Sequence, residues 1–331
     1  MRHSLRFVCA LATVLLTDVA ERRADAVDPV ALILDTDIEN DVDDVGAVAL
    51  LHALADLGEA KILAMGVSVK HPWSAPCLDV LNTYYGRPDI PIGVVKGAGV
   101  DTGSKYAKTI AAEFPHDLRS ADDAPDAVAL YRRVLAAQAD QSTVLVSIGF
   151  LTNIANLVES PADAVSDLSG FELVRKKVRL WVCMGGQFPQ GREWNLFQDT
   201  TASRRALEKW PTPIVFSGFE IGESIQSGAV LKDAAAGGPV RRSYQLFNGL
   251  QNRASWDQTA VLYAVRSGGD DATGYWSLHR PGVIQVLADG ANRWQDSADG
   301  KHNYLVRKMP DAQLAREIDA LMCRPPAVDS K

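Results

Sequence analysis

A dense run of carboxylates between two apolar segments is the strongest constraint on how this chain folds. An apolar stretch over residues 30–34 leads into it, and a second apolar stretch follows over residues 45–57. The acids between them are Asp35, Asp37, Glu39, Asp41, Asp43 and Asp44. The pattern predicts a buried strand, a short acidic loop and a helix. Open α/β sheets bind ligands at the carboxyl ends of their strands, so the loop is a candidate ligand site.

So many carboxylates at the end of one strand would repel one another unless protons, basic partners or a cation neutralised them. The segment from residue 35 to residue 44 contains no Lys or Arg. A bound divalent metal ion is therefore the economical explanation. Ligands that are all oxygen atoms favour a hard ion, Ca²⁺ or Mg²⁺.

An acidic run can also occur without a dedicated metal site. Most acidic runs are solvated surfaces, and acids in the first turn of a helix also complement its dipole. An EF-hand is excluded, because its glycine position is occupied by Asn40 and its closing glutamate position by Gly46. An aspartyl phosphatase stays open, because Asp35 and Asp37 have the spacing of its nucleophile and its second aspartate.

The rest of the chain alternates between strand-like and helical apolar patterns. Strands are predicted over 62–69, 144–148, 178–184 and 214–217, and helices over 127–139, 154–159 and 311–322. This alternation predicts an α/β fold: a Rossmann-like, doubly wound, mainly parallel central sheet with helices on both faces. The length of the chain fits one domain over residues 27–331.

Two further segments have a distinct composition. Residues 97–125 are rich in Gly, Pro and charge, which predicts a loop beside the site, and residues 274–304 predict short strands with Gly-rich turns. In the closing helix, Leu314, Ile318 and Leu321 have the spacing of one inward-facing side.

The N-terminal residues 1–26 have the pattern of a secretory signal. Arg2, His3 and Arg6 precede a short apolar run over 7–16, and the segment ends in Ala24-Asp25-Ala26, a small-x-small cleavage site. The run is too short to span a membrane as a mature helix. We expect an exported protein, periplasmic or secreted, with no membrane association after cleavage; an ordinary N-terminal extension is the alternative.

The net charge of the chain indicates which kinds of binding partner it can have. The chain carries a net charge of −7, and removing segment 1–26, whose net charge is +1, leaves −8. An acidic protein without a basic patch is not expected to bind nucleic acid.

Three cysteines remain after removal of segment 1–26, namely Cys77, Cys183 and Cys323. They allow at most one disulfide, and their spacing matches no zinc motif. Cys183 lies in an apolar run and is predicted to be a core residue.

Several segments, in order along the chain, resemble the motifs of the inosine-uridine type nucleoside hydrolases. The acidic segment 33–44 resembles the first motif, Gly86-Arg87-Pro88-Asp89 the turn into the third strand, and Leu151-Thr152-Asn153-Ile154 the central segment. Met184-Gly185-Gly186, then Glu193-Trp194-Asn195 and Asp199, and finally Trp256-Asp257 resemble the later elements. The resemblance runs from about residue 31 to the C-terminus.

This resemblance implies a function for the acidic loop. It implies calcium-dependent hydrolysis of the N-glycosidic bond of a ribonucleoside, or of a related N-ribosyl compound. The implied Ca²⁺ ligands are Asp37, Asp44, Asp257 and the backbone carbonyl of Thr152. Asp37 is also the implied general base.

The resemblance also implies the substrate contacts. Asp43 binds the 2′-hydroxyl, and Glu193, Trp194, Asn195, Met184 and Trp256 contribute to substrate binding. Asp35 orients the loop from behind the metal site, and Asp41 is an additional acid in a loop longer than usual. A homo-oligomer, dimer or tetramer, is expected from the same resemblance.

The departures from the family pattern concern the leaving group. Trp256 stands where many members have a histidine that serves as the leaving-group acid. We therefore expect another acid, His71 or His279, or activation by stacking on Trp73, Trp194 or Trp256. Segments 70–73 and 187–192 also lack the usual asparagines, so the substrate is predicted to be a modified nucleoside or another ribosyl compound. A calcium-dependent ribose-binding protein without catalysis remains an alternative.

Overall fold

Parallel β-strands organise the structure, a computed structural model that describes residues 28–38, 40–233, 238–267 and 274–327. The predicted signal segment 1–26 and Glu39 of the acidic run lie outside these residues. The strands are β1 (Val30–Thr36), β2 (Ala60–Val67), β3 (Ile92–Val94), β4 (Thr143–Ser147), β5 (Val178–Met184), β6 (Gln190–Gly191), β7 (Ile214–Ser217), β8 (Gln226–Ser227), β9 (Arg253–Ala254), β10 (Trp276–Leu278), β11 (Gly282–Val286), β12 (Asn292–Asp296) and β13 (His302–Arg307).

Helices connect most of these strands. They are α1 (Asp43–Asp56), α2 (Ser74–Tyr84), α3 (Ala107–Glu113), α4 (Ala127–Ala136), α5 (Thr152–Glu159), α6 (Gly170–Lys177), α7 (Trp194–Gln198), α8 (Thr200–Lys209), α9 (Phe219–Gly222), α10 (Pro239–Asn248), α11 (Trp256–Arg266) and α12 (Asp311–Met322). Short 3₁₀ turns lie at Ala121–Asp123 and Ala229–Lys232.

The main sheet has the strand order β3-β2-β1-β4-β5-β7-β13-β11-β12-β6, and β10 pairs with β13. The strands from β3 to β13 in that order pair in parallel, while β11, β12, β6 and β10 pair antiparallel. β1 therefore lies inside the sheet between β2 and β4, with its carboxyl end beside theirs. The mainly parallel sheet confirms the fold predicted from the sequence.

Both faces of the sheet are covered, and β1 shows how. Leu32 and Leu34 pack in the apolar cluster that includes α1, α2, α11 and α12, whereas Ile33 packs in the cluster that includes α4, α5, α6 and α8. Successive side chains of a strand point to opposite faces, so an uninterrupted apolar strand requires a core on each side. This explains why the strands appear in the sequence as continuous apolar runs.

Helix α1 is buried around nearly its whole circumference. Every residue from Asp43 to Leu54 is buried, because the helix packs against α11 and α12 as well as against the sheet. A helix that is apolar on all sides is typical of a protein interior. The two acids that open it are consequently enclosed with it, and this burial determines their chemistry.

The predicted loop over residues 97–125 is only partly a loop. It contains α3, in which Ala107, Ile110 and Ala111 are buried and pack toward α2. Apolar spacing on one side of a short helix outweighed the Gly, Pro and charged residues that surround it. The closing helix α12 buries Leu314, Ile318 and Leu321, as the sequence predicts.

Among the described residues, Cys77, Cys183 and Cys323 are free thiols, and Cys183 is fully buried, as the sequence predicts. Within the described ranges, no helix combines the length and the apolar character that crossing a bilayer requires.

Gly149 lies where the loop after β4 touches the loop after β1. A Cβ atom at this position would lie 2.7 Å from Ser68 Oγ and 2.9 Å from Asp37 Cβ, and closer still to the backbone nitrogen of Asp37. We expect Gly149→Ala to lower the free energy of unfolding by about 1–3 kcal/mol, because the added methyl forces the two loops apart. Urea unfolding measures this change.

Gly103→Ala is the matched control, because a Cβ atom there would meet nothing within 4 Å. Its free energy of unfolding should stay within about 0.5 kcal/mol of the parent. Equal stability of the two variants would show that the loops do not meet as closely as described.

Candidate functional site

A cavity of about 290 Å³ opens where the carboxyl ends of β1, β4, β5 and β7 meet the beginning of α11. Its walls are chemically divided. The acidic lining residues are Asp37, Asp41, Asp43, Asp44, Glu193 and Asp257, and the others are Asn40, Ile148, Met184, Trp194, Asn195, Phe219, Arg253 and Trp256. The pocket thus forms at the edge of the sheet that the sequence pattern predicts.

Three carboxylates from distant positions converge in this pocket. One ligand oxygen each of Asp43, Asp44 and Asp257 lies within 4.8 Å of the others, and all three residues are buried. The backbone N–H of Asp257 donates to Asp43 Oδ2 at 3.2 Å, and the Thr36 hydroxyl donates to Asp44. Packing of α11 against α1 brings Asp257 to the acidic loop.

Among the carboxylates, the predicted ligand set differs from this group by one residue. The resemblance names Asp37 together with Asp44 and Asp257, and it assigns Asp43 to the substrate. The structure groups Asp43 with Asp44 and Asp257 and places Asp37 in the same pocket. The individual roles of these four acids stay predictions.

Burial makes this cluster electrostatically costly. It raises the pKa of Asp43, Asp44 and Asp257 well above the usual range, and their neighbouring carboxylates raise it further. Burial also raises the pKa of Asp37 to about 7, with repulsion from Glu193 and other nearby acids adding to it. Convergent, buried oxygen donors of this kind fit a hard divalent cation, which would hold them in the charged form.

Asp35 supports the loop from behind the pocket. Its Oδ2 accepts hydrogen bonds from the Tyr131 hydroxyl and, at 2.8 Å, from Asn153 Nδ2. Burial raises the pKa of Asp35 to about 6, although these hydrogen bonds lower it. Asp35 does not line the cavity. This placement agrees with an orienting role.

Neither Thr152 nor Asn153 caps α5 with its side chain. Leu151 occupies the cap position without a side-chain hydrogen bond. Thr152 Oγ1 instead donates to Asp199 Oδ2 at 2.6 Å, and Asn153 Nδ2 donates to Asp35 Oδ2. Both polar side chains therefore join separate segments rather than ending their own helix. Thr152 does not line the cavity, and its carbonyl as a ligand stays a prediction.

Glu193 orders the wall opposite the acidic loop. Its carboxylate caps α7 by accepting from the backbone N–H of Asn195 at 2.7 Å and of Leu196 at 3.2 Å. It also accepts from the N–H of Gly186 at 3.0 Å, which fixes the turn after β5. Burial raises the pKa of Glu193 to about 7. Asn195 Nδ2 lies 3.3 Å from Met184 Sδ, so these predicted substrate residues form one connected wall.

Aromatic rings cover the remaining side of the pocket. Trp256 Nε1 donates to the Phe219 carbonyl at 2.9 Å, and the two rings stack with centroids 5.4 Å apart. Trp194 keeps 46% of its surface exposed. A flat aromatic group is the natural occupant of such a wall. Phe219 was not identified from the sequence, because its only signal is a position just after a strand.

The predicted alternative acids lie elsewhere. His71, His279 and Trp73 are absent from the described residues that line the cavity. The His71 ring contacts Ser74 Oγ at 3.3 Å, and His279 stacks on Tyr304 at 4.4 Å. The hypothesis that one of these histidines serves the leaving group therefore has no support in the geometry.

Asp41 has a partner that the sequence does not reveal. Arg253 Nε lies 3.0 Å from both Asp41 carboxylate oxygens, and Nη2 also contacts Oδ2. The acidic loop lacks a basic residue of its own, yet the fold brings one from a distant segment. The negative charge of Asp41 is thereby compensated by an arginine rather than by a metal ion.

With this geometry established, comparison with known proteins identifies the family. The family model described as inosine-uridine preferring nucleoside hydrolase matches residues 32–322. The chain belongs to this family. No curated protein sequence matches it significantly.

Solved structures of nucleoside hydrolases share the fold. The inosine-uridine preferring enzyme from Bacillus anthracis has 14% sequence identity and a TM-score of 0.65, covering 88% of this chain and 99% of that one. The purine-preferring ribonucleoside hydrolase from Gardnerella vaginalis has 16% identity and a TM-score of 0.66, covering 88% and 98%. The type III effector XopQ, complexed with adenosine diphosphate ribose, has 15% identity and a TM-score of 0.65, covering 90% and 94%.

Family membership settles the class of reaction. The protein is a nucleoside hydrolase, an enzyme that acts on N-glycosyl bonds of small nucleoside substrates, and the aspartyl phosphatase alternative is not favoured. The family is metal-dependent, and the buried group Asp43, Asp44 and Asp257 suits a metal ion.

The buried acids predict an unusual pH dependence of stability when divalent cations are chelated. Burial raises the folded-state pKa of Asp37 from 3.8 to about 7, so between these values the folded hydrolase binds a proton that the unfolded chain has lost. The free energy of unfolding contributed by this group therefore falls as pH rises through about 7. We expect Asp37→Asn in chelator to be more stable than the parent at pH 8.5, by at least about 1 kcal/mol.

This difference should shrink as pH falls below 7, because the parent then carries a neutral Asp37. Urea unfolding of both proteins at pH 5.5, 7 and 8.5 measures it. Taking the difference between the two proteins cancels groups such as His52, whose pKa burial lowers to about 3. A stability difference that does not vary with pH would contradict the raised pKa.

Proposed function

We propose that this nucleoside hydrolase cleaves the N-glycosidic bond of a ribonucleoside, or of a related N-ribosyl compound, in a calcium-dependent reaction. The observation that carries the proposal is the convergence of Asp43, Asp44 and Asp257 in a pocket that aromatic rings also line. The carboxylates suit a polyhydroxylated sugar on a cation, and the aromatic rings suit a flat base.

Calcium is proposed because every donor is an oxygen atom. Asp44 and Asp257 would hold the ion together with Asp37 and the Thr152 carbonyl, and Asp43 lies close enough to share it. Ca²⁺ accepts several oxygen ligands in flexible geometry. When bound, the ion would grip a sugar diol and lower the pKa of a water molecule.

Asp37 is proposed as the general base. It lines the same pocket as the three clustered acids, and a carboxylate held in the charged form beside the ion can take a proton from the attacking water. N-glycoside cleavage passes through an oxocarbenium-like state in which positive charge develops on the sugar. The fixed, buried carboxylates around the pocket stabilise that charge. Asp43, Glu193 and Asn195 would hold the ribose hydroxyls.

The aromatic wall indicates the kind of leaving group. Trp194, Phe219 and Trp256 present ring surfaces to the pocket and would stack on a planar heterocycle. Among the similar structures, one is named a purine-preferring ribonucleoside hydrolase and one is complexed with adenosine diphosphate ribose. Both names are compatible with a ribosyl substrate that carries an aromatic base.

Export and assembly are part of the same proposal. The signal-like segment 1–26 supports a periplasmic or secreted enzyme, and the family resemblance supports a homo-oligomer. A calcium-dependent ribose-binding protein without catalysis is the rival function, and it differs from the enzyme only in turnover. A reducing-sugar assay over a panel of nucleosides, with and without chelator, separates the two.

Replacing the proposed base should stop the reaction. We expect Asp37→Asn to lower kcat by about 10²–10⁴-fold, because the amide cannot accept the proton of the attacking water. The reducing-sugar assay measures it. Asp140→Asn is the matched control, since Asp140 is exposed and paired only with Lys177 on the surface. Turnover retained in Asp37→Asn would contradict the assigned base.

Removing the ion should also stop the reaction, reversibly. We expect a calcium chelator to abolish ribose release and added Ca²⁺ to restore it. In Asp257→Asn, the Ca²⁺ concentration for half-maximal activity should rise by at least about tenfold, because a charged ligand is lost. Calorimetric titration with Ca²⁺ checks the same change independently. Full activity in chelated protein would rule out the calcium requirement.

A further inference from the structure

Arg253 is the only basic side chain among the described residues that line the pocket. Six carboxylates surround the same cavity, so this cation differs in charge from every other ionised group around it. The chain has Trp256 where many family members have their leaving-group acid, and the two candidate histidines lie elsewhere. Stabilisation of a departing base would therefore come from a group other than a histidine.

The orientation of Arg253 is fixed from several sides. Both carboxylate oxygens of Asp41 accept a hydrogen bond from Arg253 Nε at 3.0 Å. This pairing holds the guanidinium plane against the carboxylate. The Tyr106 hydroxyl donates to the Asp41 backbone carbonyl at 2.7 Å, and this tyrosine is buried just before α3. The additional acid of the long loop is therefore an anchor for an arginine.

This anchoring places the guanidinium beside an aromatic ring of the pocket. The Arg253 Cζ atom lies 4.9 Å from the centre of the Trp256 ring. Trp256 is itself held by its hydrogen bond to the Phe219 carbonyl. A base stacked on the aromatic rings of the pocket would thus lie beside the guanidinium.

We propose that Arg253 stabilises the leaving base during N-glycosidic cleavage and that Asp41 is its positioning residue; this rests on the proposed function. Water forms a bond to the anomeric carbon and gives its proton to Asp37. The carbon–nitrogen bond breaks, and its electron pair goes to the ring nitrogen of the base. The guanidinium N–H groups stabilise that negative charge, and the base then takes a proton from solvent.

The guanidinium acts by charge and hydrogen bonding, since arginine keeps its proton in proteins. Such stabilisation matters only for a base that leaves poorly. A leaving group that departs readily as an anion, such as 4-nitrophenolate, gains little from it. The identity of the leaving group therefore separates a catalytic role of Arg253 from a purely structural one.

The test compares kcat/KM on two substrates, the best nucleoside of the panel and 4-nitrophenyl β-D-ribofuranoside. In Arg253→Gln we expect a loss of about 10²–10³-fold on the nucleoside. That loss should exceed the loss on the 4-nitrophenyl riboside by at least about 30-fold. Asp41→Asn should shift the ratio between the substrates in the same direction, by a smaller factor.

Arg242→Gln is the matched control, because Arg242 forms a similar pair with Glu113 on the surface of α10. It should leave the substrate ratio unchanged. Equal losses on both substrates in Arg253→Gln would overturn the inference and leave the proposed function standing. If the parent protein cleaves neither substrate, the proposed function itself fails and the inference falls with it.

Discussion

Repulsion between buried carboxylates is the constraint on which this structure depends. Asp37, Asp43, Asp44 and Asp257 are each at most 6% exposed, and burial raises the pKa of all of them. A fold keeps such an arrangement only if something compensates its cost. A divalent cation would compensate this cost, because the buried group Asp43, Asp44 and Asp257 offers it charged oxygen ligands.

The fold fixes these charges by rigid packing. β1 lies between two parallel neighbours with a core on each face, and α1 is enclosed by α11 and α12. Behind the loop, Asp35 is tied to α4 and α5 through Tyr131 and Asn153. Acids held on such elements have little freedom to move apart, so the electrostatic field in the pocket is set before any ligand arrives.

The two ends of the pocket differ in how closely they follow the family pattern. The carboxylates, Glu193 and Asn195 match it, whereas the residues expected at the leaving group do not. There the chain combines the Phe219–Trp256 stack with the Arg253–Asp41 pair. Residues 70–73 and 187–192 also depart from the pattern. The departures from the pattern are therefore concentrated outside the cluster of carboxylates.

The sequence by itself determined the central parallel strands β1, β2, β4, β5 and β7, the helices α1, α4, α5 and α12, and the acidic loop, because local periodicity reports which side chains are buried. Motif order also pointed to Asp44 and Asp257. Only the tertiary structure decided the partners: Asp41 meets Arg253 across 212 positions, and Asn153 binds Asp35 instead of capping its helix. A side chain's polar partner depends on where distant segments meet in space. Neither composition nor local pattern records where distant segments meet. For the same reason, the sequence did not reveal the burial of α3 or the place of Phe219 in the pocket.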